Sequence, residues 1–253
     1  MSLVAFGALG ASSQAAGGRP AALGRMRPEQ MGAARIYNGT PTGAYPAVAG
    51  LLVLDGAGNT GLCTGTLIAP DVVLTAAHCL EDTVAAVAVF FPDGVTDVTY
   101  DAIQKIVHES YSGAVLAYAD IGLLVLEVPV TGVAPLPIAA VSPARKTTGT
   151  IVGFGEDPLA GIGVKEFGTI KLKKCPRTFR PAGMVRGQLS TSLCWSPKRR
   201  WNDTCHGDSG GPLLVDGAIA GLTSGGYPDC PGKLSWDTNV VLFRDWIDFW
   251  LAP

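Results

Sequence analysis

From residue 36 to residue 241 the chain is a succession of short apolar or alternating runs, each cut off by Gly, Pro or Asp, and this punctuation restricts it to an all-β fold. Runs of about four to eight residues cross a sheet, whereas a buried helix needs about ten or more. The runs fall into two sets. One covers 47–54, 62–68, 72–75, 84–91, 103–107 and 121–128; the other covers 148–154, 166–172, 211–215, 218–222 and 234–241. Regular spacing of this kind predicts a sandwich or a barrel. Between the sets, residues 131–143 carry three prolines and little patterning, which predicts a connector between halves at roughly 36–135 and 144–241. The end of the chain changes texture. Leu242, Trp246, Phe249 and Trp250 recur at intervals of three or four with Asp245 and Asp248 between them, predicting an amphipathic helix over 242–252 that packs on the body of the fold.

A hydrophobic content of 47% in 253 residues is ample for a core. Charged residues make up only 16% and the formal net charge is -2, so the bulk balance gives no reason to expect a nucleic acid or a membrane surface as partner. Six cysteines accompany 33 glycines and 18 prolines, a composition that fits a turn-rich, bridged, secreted and extracellular protein. Six cysteines allow about 15 pairings. Neither CxxC pairs nor clustered histidines occur, which argues against a structural zinc site. Residues 1–9 and Ser13-Gln14-Ala15 resemble the apolar stretch and cleavage site of a signal peptide, without its basic start. Residues 10–35, rich in Ala, Gly and Arg with Pro20 and Pro28, read as a removable pro-segment. The apolar run 121–126 is far too short to span a bilayer.

The densest chemistry lies in Gly207-Asp208-Ser209-Gly210-Gly211-Pro212. A serine hydroxyl is a weak nucleophile at neutral pH and needs both a base to take its proton and donors for the oxyanion it creates. Upstream stand Thr75-Ala76-Ala77-His78-Cys79 and Asp120-Ile121-Gly122-Leu123-Leu124-Val125-Leu126. With the three motifs in the order His, Asp, Ser, residues 36–253 resemble the trypsin and chymotrypsin family of serine proteases. An esterase of the α/β-hydrolase type would need the order Ser, Asp, His, which this chain lacks.

The resemblance implies two six-stranded antiparallel β-barrels with a C-terminal α-helix, and an active site in the cleft between the barrels. His78 and Asp120 would come from the first barrel and Ser209 from the second. Ser209 would attack the scissile carbonyl, His78 would carry its proton to the leaving amine, and Asp120 would hold the imidazole. The backbone N–H groups of Gly207 and Ser209 would form the oxyanion hole. His108 has no companion motif and reads as a surface residue, His206 adjoins the nucleophile stretch and reads as lining the pocket rim, and Asp101 lacks the apolar run that follows Asp120.

Arg35-Ile36 resembles the family's activation junction, with Tyr37 in place of the usual second aliphatic residue. Cutting there would free the ammonium of Ile36 to pair with Asp208. Asp203, six residues before Ser209, would form the floor of the specificity pocket and select Arg or Lys, with Ser224 and Gly226 along the substrate backbone. Gly225 replaces the family's tryptophan, and either Gly232 or Ser235 would face the pocket. Alternatives are a chymotrypsin- or elastase-like preference on the same fold, or a non-catalytic binding homologue. The resemblance also implies the bridges Cys63–Cys79, Cys175–Cys194 and Cys205–Cys230. The expected partners of such a monomer are protein or peptide substrates and protein inhibitors. No cofactor or metal is expected, since Glu81-Asp82 followed by an apolar run does not make a calcium loop.

Overall fold

The computed structural model of the chain describes residues 4–5, 36–90, 96–114, 117–155, 164–177, 179–180, 182–183, 191–197, 202–227 and 230–252. Its strands, in chain order, are β1 (Val4–Ala5), β2 (Thr40–Pro41), β3 (Val48–Asp55), β4 (Thr60–Ala69), β5 (Val72–Thr75), β6 (Thr83–Phe90), β7 (Val98–Val107), β8 (Gly122–Leu126), β9 (Thr148–Gly153), β10 (Glu166–Lys171), β11 (Ser192–Trp195), β12 (Pro212–Val215), β13 (Ala218–Tyr227) and β14 (Leu234–Asn239). One helix, α1 (Arg244–Leu251), follows a 3₁₀ turn at Val240–Phe243. No helix among the described residues is long and apolar enough to cross a membrane.

Antiparallel pairing in the order β7-β6-β3-β4-β5-β8 is closed by β7 on β8, so the first half is a six-stranded barrel. β1 adds to it at the β7 side, Val4 opposite Lys105, within the segment whose sequence reads as a leader. The second half runs β11-β14-β13-β12-β9-β10-β2, without a closing pair among the described residues. β2 lies early in the chain yet pairs with β10, Phe167 opposite Thr40. The residues just after Ile36 therefore belong in space to the second half. The connector ties both halves together: the Leu136 N–H donates to Leu67 O at 2.9 Å and the Ala139 N–H to Ile219 O at 2.9 Å.

Strand parity explains why some runs alternate and others do not. On β3, Ala49, Leu51 and Val53 enter the barrel core with Phe90 and Leu124, whereas Val48 faces a second cluster. On β5 and β8 both faces are covered: Val73 and Leu124 point into the barrel, while Leu74 and Leu123 meet Phe154, Leu214 and Leu222 of the other half. A run buried on both sides must be apolar throughout. At roughly 1.5–3 kcal/mol for each fully buried Leu or Phe, this shared layer fixes the two halves against each other.

The terminal helix packs as the periodicity predicts, with a different inward face. Phe243 and Ile247 are buried against the inter-half cluster, and Trp246 and Trp250 are half-buried there, but Leu242 and Phe249 are 47% and 60% exposed. The 3₁₀ turn ahead of the helix advances the phase and rotates Leu242 outward. His108 is also corrected by the structure. It is buried, not on the surface, because the helix covers it, with Phe243 and Trp246 rings at 5.1 and 5.0 Å. Burial lowers its pKa below the ordinary value.

Candidate active site

His78 stands in the 3₁₀ turn Ala77–Cys79 immediately after β5. The neighbouring Cys79 is bridged to Cys63 of β4, with Cα atoms 6.3 Å apart, so the turn is stapled to the barrel wall. Ala76 and Ala77 are fully buried, and only small side chains fit beneath the turn. Across from it, the residue before Asp120 is bent into the left-handed region: Ala119 has φ 58° and its carbonyl accepts the Ile121 N–H at 2.8 Å. That local strain turns Asp120 back toward the imidazole.

The carboxylate is held from several directions. Asp120 Oδ2 lies 2.8 Å from His78 Nδ1, and Oδ1 accepts the His78 backbone N–H at 2.9 Å. Ser224 Oγ donates to Oδ2 at 2.6 Å, and Thr238 Oγ1 donates to the Asp120 carbonyl at 2.9 Å. Both donors come from the second half, so the aspartate spans the two. Burial alone would raise its pKa; the charge and hydrogen bonds of His78 and the Ser224 hydroxyl outweigh it and hold the carboxyl below the ordinary value. An ionised carboxylate can only accept, so Nδ1 carries the hydrogen and the other ring nitrogen is left to take a proton. Burial opposes the charged imidazole, yet Asp120 prevails and raises the His78 pKa. About a third of the His78 side chain remains open to solvent, 32% against 3% for Asp120. A groove of about 290 Å³ runs past it along Asn59 to Cys63.

The serine turn is seated against β4 and the bridged Cys79 next to His78. Ser209 O accepts the Thr64 N–H at 2.8 Å, and Thr64 Oγ1 donates to Gly207 O at 2.9 Å. The glycines are dictated by space: Gly210 has φ 79°, and a Cβ there would lie 2.1 Å from Thr75 Oγ1 and 2.5 Å from Thr64 O. At Gly207, φ 89°, a Cβ would lie 3.1 Å from the Cα of Gly155. The N–H groups of Asp208, Gly210 and Gly211 are each bonded to a backbone carbonyl, whereas those of Gly207 and Ser209 have no partner among the described residues. Two free amides in one tight turn form a nest for an oxygen carrying negative charge. Ser209 Oγ itself makes no hydrogen bond among the described residues.

Asp203 and Asp208 flank the turn beneath the surface. Asp203 accepts Ser235 Oγ at 2.5 Å, the Gly232 N–H at 2.7 Å and the Thr204 N–H at 3.1 Å, and burial raises its pKa despite them. Both candidates for the facing wall thus touch the same carboxylate, Ser235 by its side chain and Gly232 by its backbone. Asp208 is wholly buried, accepting N–H bonds from Gly155 at 2.7 Å and Cys205 at 2.8 Å, and burial pushes its pKa up to about 8. Ile36 is buried among Ile151, Ile170 and Leu213, and the next residue, Tyr37, bonds by its N–H to Asp203 O at 2.8 Å. Arg35 lies outside the described residues. Gly225 leaves room that Trp236 fills, since a Cβ there would be 2.4 Å from the indole. Gly226 and His206 are exposed, as is Asp101, whose carbonyl is bonded to Glu127 rather than to anything near His78.

A matching family description, Trypsin, covers residues 37–247. This chain belongs to the trypsin family. Brachyurin from Leptuca pugilator is 31% identical over 202 residues, 73% of this chain and 85% of that one. Kallikrein-8 from Homo sapiens is 28% identical over 207 residues, 75% and 77% of the two. Among solved structures, neuropsin, a serine protease expressed in the limbic system of mouse brain, superimposes with TM-score 0.70 at 25% identity, over 85% of this chain and all of that one. The structure named GrC matches at TM-score 0.72 and 22% identity, over 85% of this chain and 99% of that one, a likeness of fold. The three family bridges are present: Cys63–Cys79, Cys175–Cys194 and Cys205–Cys230. Cys63, His78 and Cys79 are the only clustered metal donors among the described residues, and both sulfurs are taken by the bridge.

One buried group in this site escaped the sequence reading. Asp237 has no hydrogen-bond partner on either oxygen among the described residues and is completely buried, and burial, then the charge of Asp203, drives its pKa well up. It lies two residues beyond Ser235 on β14, hence on the same face. A polar residue in an alternating strand reads as solvent-facing, which is why no signal announced it.

Proposed function

We propose that the chain is a secreted serine endopeptidase in which Ser209 attacks the peptide carbonyl, His78 moves the proton and Asp120 fixes the imidazole. The observation that supports this reading is the His78–Asp120 hydrogen bond together with a turn whose Gly207 and Ser209 amides have no partner among the described residues. As Ser209 Oγ bonds to the carbonyl carbon, its proton passes to His78 and the carbonyl oxygen gains the charge those amides receive. Collapse breaks the C–N bond, His78 returns the proton to the leaving amine, and water repeats the sequence to free the acid.

Asp203 supports a preference for Arg or Lys, because an apolar side chain would leave its buried charge unpaired. Ser224 and Gly226 border the substrate backbone. Cleavage after Arg35 would release the Ile36 ammonium next to Asp208, a buried carboxyl that no Lys or Arg reaches among the described residues. The backbone pairing of Tyr37 with Asp203 supports a link between that event and the pocket.

The test is covalent labelling. Phenylmethanesulfonyl fluoride should add to Ser209 of the cut chain in one-to-one ratio and to neither the Ser209→Ala nor the uncut Arg35→Gln chain. Peptides differing only at the residue before the cut should be turned over fastest with Arg or Lys. Labelling without turnover would favour a binding homologue, and faster cutting after Phe or Leu would reject the role given to Asp203.

A further inference from the structure

The net charge of -2 conceals a strong segregation. Residues 128–155 and 167–202 contain no Asp or Glu, yet hold eleven of the chain's 19 Lys and Arg; all 21 acids lie elsewhere. The fold brings these two stretches together. Arg145, just ahead of β9, faces Lys173, Lys174, Arg177 and Arg180 of the segment after β10 across a groove of about 430 Å³, with no acid in its lining. All five side chains are exposed. Arg145, Lys174, Arg177 and Arg180 have no acidic partner among the described residues. Lys173 is tied back to Ser196 Oγ.

Like charges gathered at one place raise the free energy of the bare surface and are relieved by an anion. Three of the five are arginines, whose planar forks match carboxylates, sulfates and phosphates in two-point contacts. The floor narrows the choice. It is built from Leu172, Phe179 and Leu193, with the Cys175–Cys194 bridge and two prolines. A cationic rim over an apolar floor fits a chain that offers acidic and apolar side chains in turn. A sulfated polysaccharide or a phosphate backbone supplies only the anions.

We propose that the groove between Arg145 and the 172–180 segment binds an acidic stretch of a polypeptide. Its position gives that binding a consequence. Phe179 packs on Trp236 at 5.3 Å, and Trp236 adjoins Ser235, whose hydroxyl meets Asp203. Ala182, just past the groove, accepts the Tyr118 N–H at 2.7 Å, two residues before Asp120. These contacts link the groove to Asp203 and to the segment that carries Asp120. Resting on the function proposed above, the groove selects protein substrates that carry an acidic, partly apolar stretch away from the bond to be cut.

The test measures binding apart from turnover. A fluorescein-labelled decapeptide alternating Glu with Leu and Phe is titrated against the full-length Ser209→Ala chain by anisotropy. A Glu-Gly decapeptide of equal charge and a size-fractionated heparin fragment serve as comparisons. Affinity for the first peptide should fall at least tenfold between 50 and 300 mM NaCl and again about tenfold in Lys174→Glu/Arg177→Glu. Arg145→Glu, on the opposite wall, should weaken it about threefold, and the Glu-Gly peptide should bind about tenfold more weakly than the first. These residues are exposed, so an unchanged melting temperature shows that the variants fold. Absence of salt-sensitive binding, indifference to the charge reversals, or heparin binding tenfold tighter than the peptide would each overturn the proposal. Peptide binding in a chain that proves unable to hydrolyse any substrate would leave the groove standing and remove the protease reading alone.

Discussion

Asp208 offers the sharpest test of the proposed activation by cleavage after Arg35. Its side chain is 0% exposed, it receives two backbone N–H bonds, and burial still carries its pKa from 3.8 to about 8. Because the folded value is the higher, folding takes up a proton between these limits. Asp208 therefore costs nothing below about pH 4, its penalty grows as pH rises, and it is complete once pH passes about 8. At ~1.4 kcal/mol per pH unit, the four-unit interval amounts to roughly 6 kcal/mol, on the order of a whole domain's stability. An ammonium arriving from Ile36 would pair with the carboxylate and remove most of that penalty. Urea unfolding of the Ser209→Ala chain should accordingly show the uncut Arg35→Gln form losing stability from pH 5 to 8 more steeply than the cut form, by about one proton's slope. Asp208→Asn in the uncut form should reduce the slope by about one proton's worth, separating this residue from Asp203 and Asp237. Parallel curves for cut and uncut chains, or a slope unchanged in Asp208→Asn, would refute the argument.

Three further outcomes follow from the geometry. Asp120 raises the pKa of His78, and the base must be neutral to accept a proton, so the acid limb of kcat/KM against pH should lie above the ordinary value of 6.5; Asp120→Asn should move it down while reducing kcat by about 10⁴-fold, the loss known for the same triad in a relative. Ser235→Gly frees an oxygen of Asp203 and opens the space above it, and should raise kcat/KM for Arg peptides several-fold relative to Lys peptides, as read by paired fluorogenic substrates. Gly210→Ala places a methyl 2.1 Å from Thr75 Oγ1 at a left-handed φ, and should lower stability by about 3 kcal/mol or more in urea unfolding, with loss of sulfonyl fluoride labelling.

What could be read from the sequence followed from whether a local rule governed it. The strands on β3, β5 and β8 were legible because apolar runs bounded by turn residues leave few other choices, and the three motifs were legible because each puts a rare residue beside fixed glycines or a cysteine. Strands β2 and β11 were not, being two and four residues long and specified by distant partners. The burial of His108 depends on a helix more than a hundred residues away. Ser224 as a direct partner of Asp120 becomes visible only in three dimensions, because the two residues lie in different halves of the chain.

Asp237 exposes the general reason. Strand β14 reads Leu-Ser-Trp-Asp-Thr-Asn, an alternation that ordinarily assigns the polar members to solvent, yet every residue from Ser235 to Asn239 is buried. Polar groups sit inside because this end of the second sheet is arranged around charge rather than around apolar packing. Asp203, Asp208 and Asp237 all have pKa values raised by burial, and the charge of Asp203 acts on both of the others. A hydrophobic interior would be more stable and would have no use for a cation. On the function proposed above, an interior holding three carboxyls would be completed by positive charge brought from outside, once by a new chain terminus and again by a substrate side chain. On that view the polar strand and the acid-free, Lys- and Arg-rich surface nearby are two parts of one charge pattern, in which the anions are kept within and the cations are displayed to what approaches.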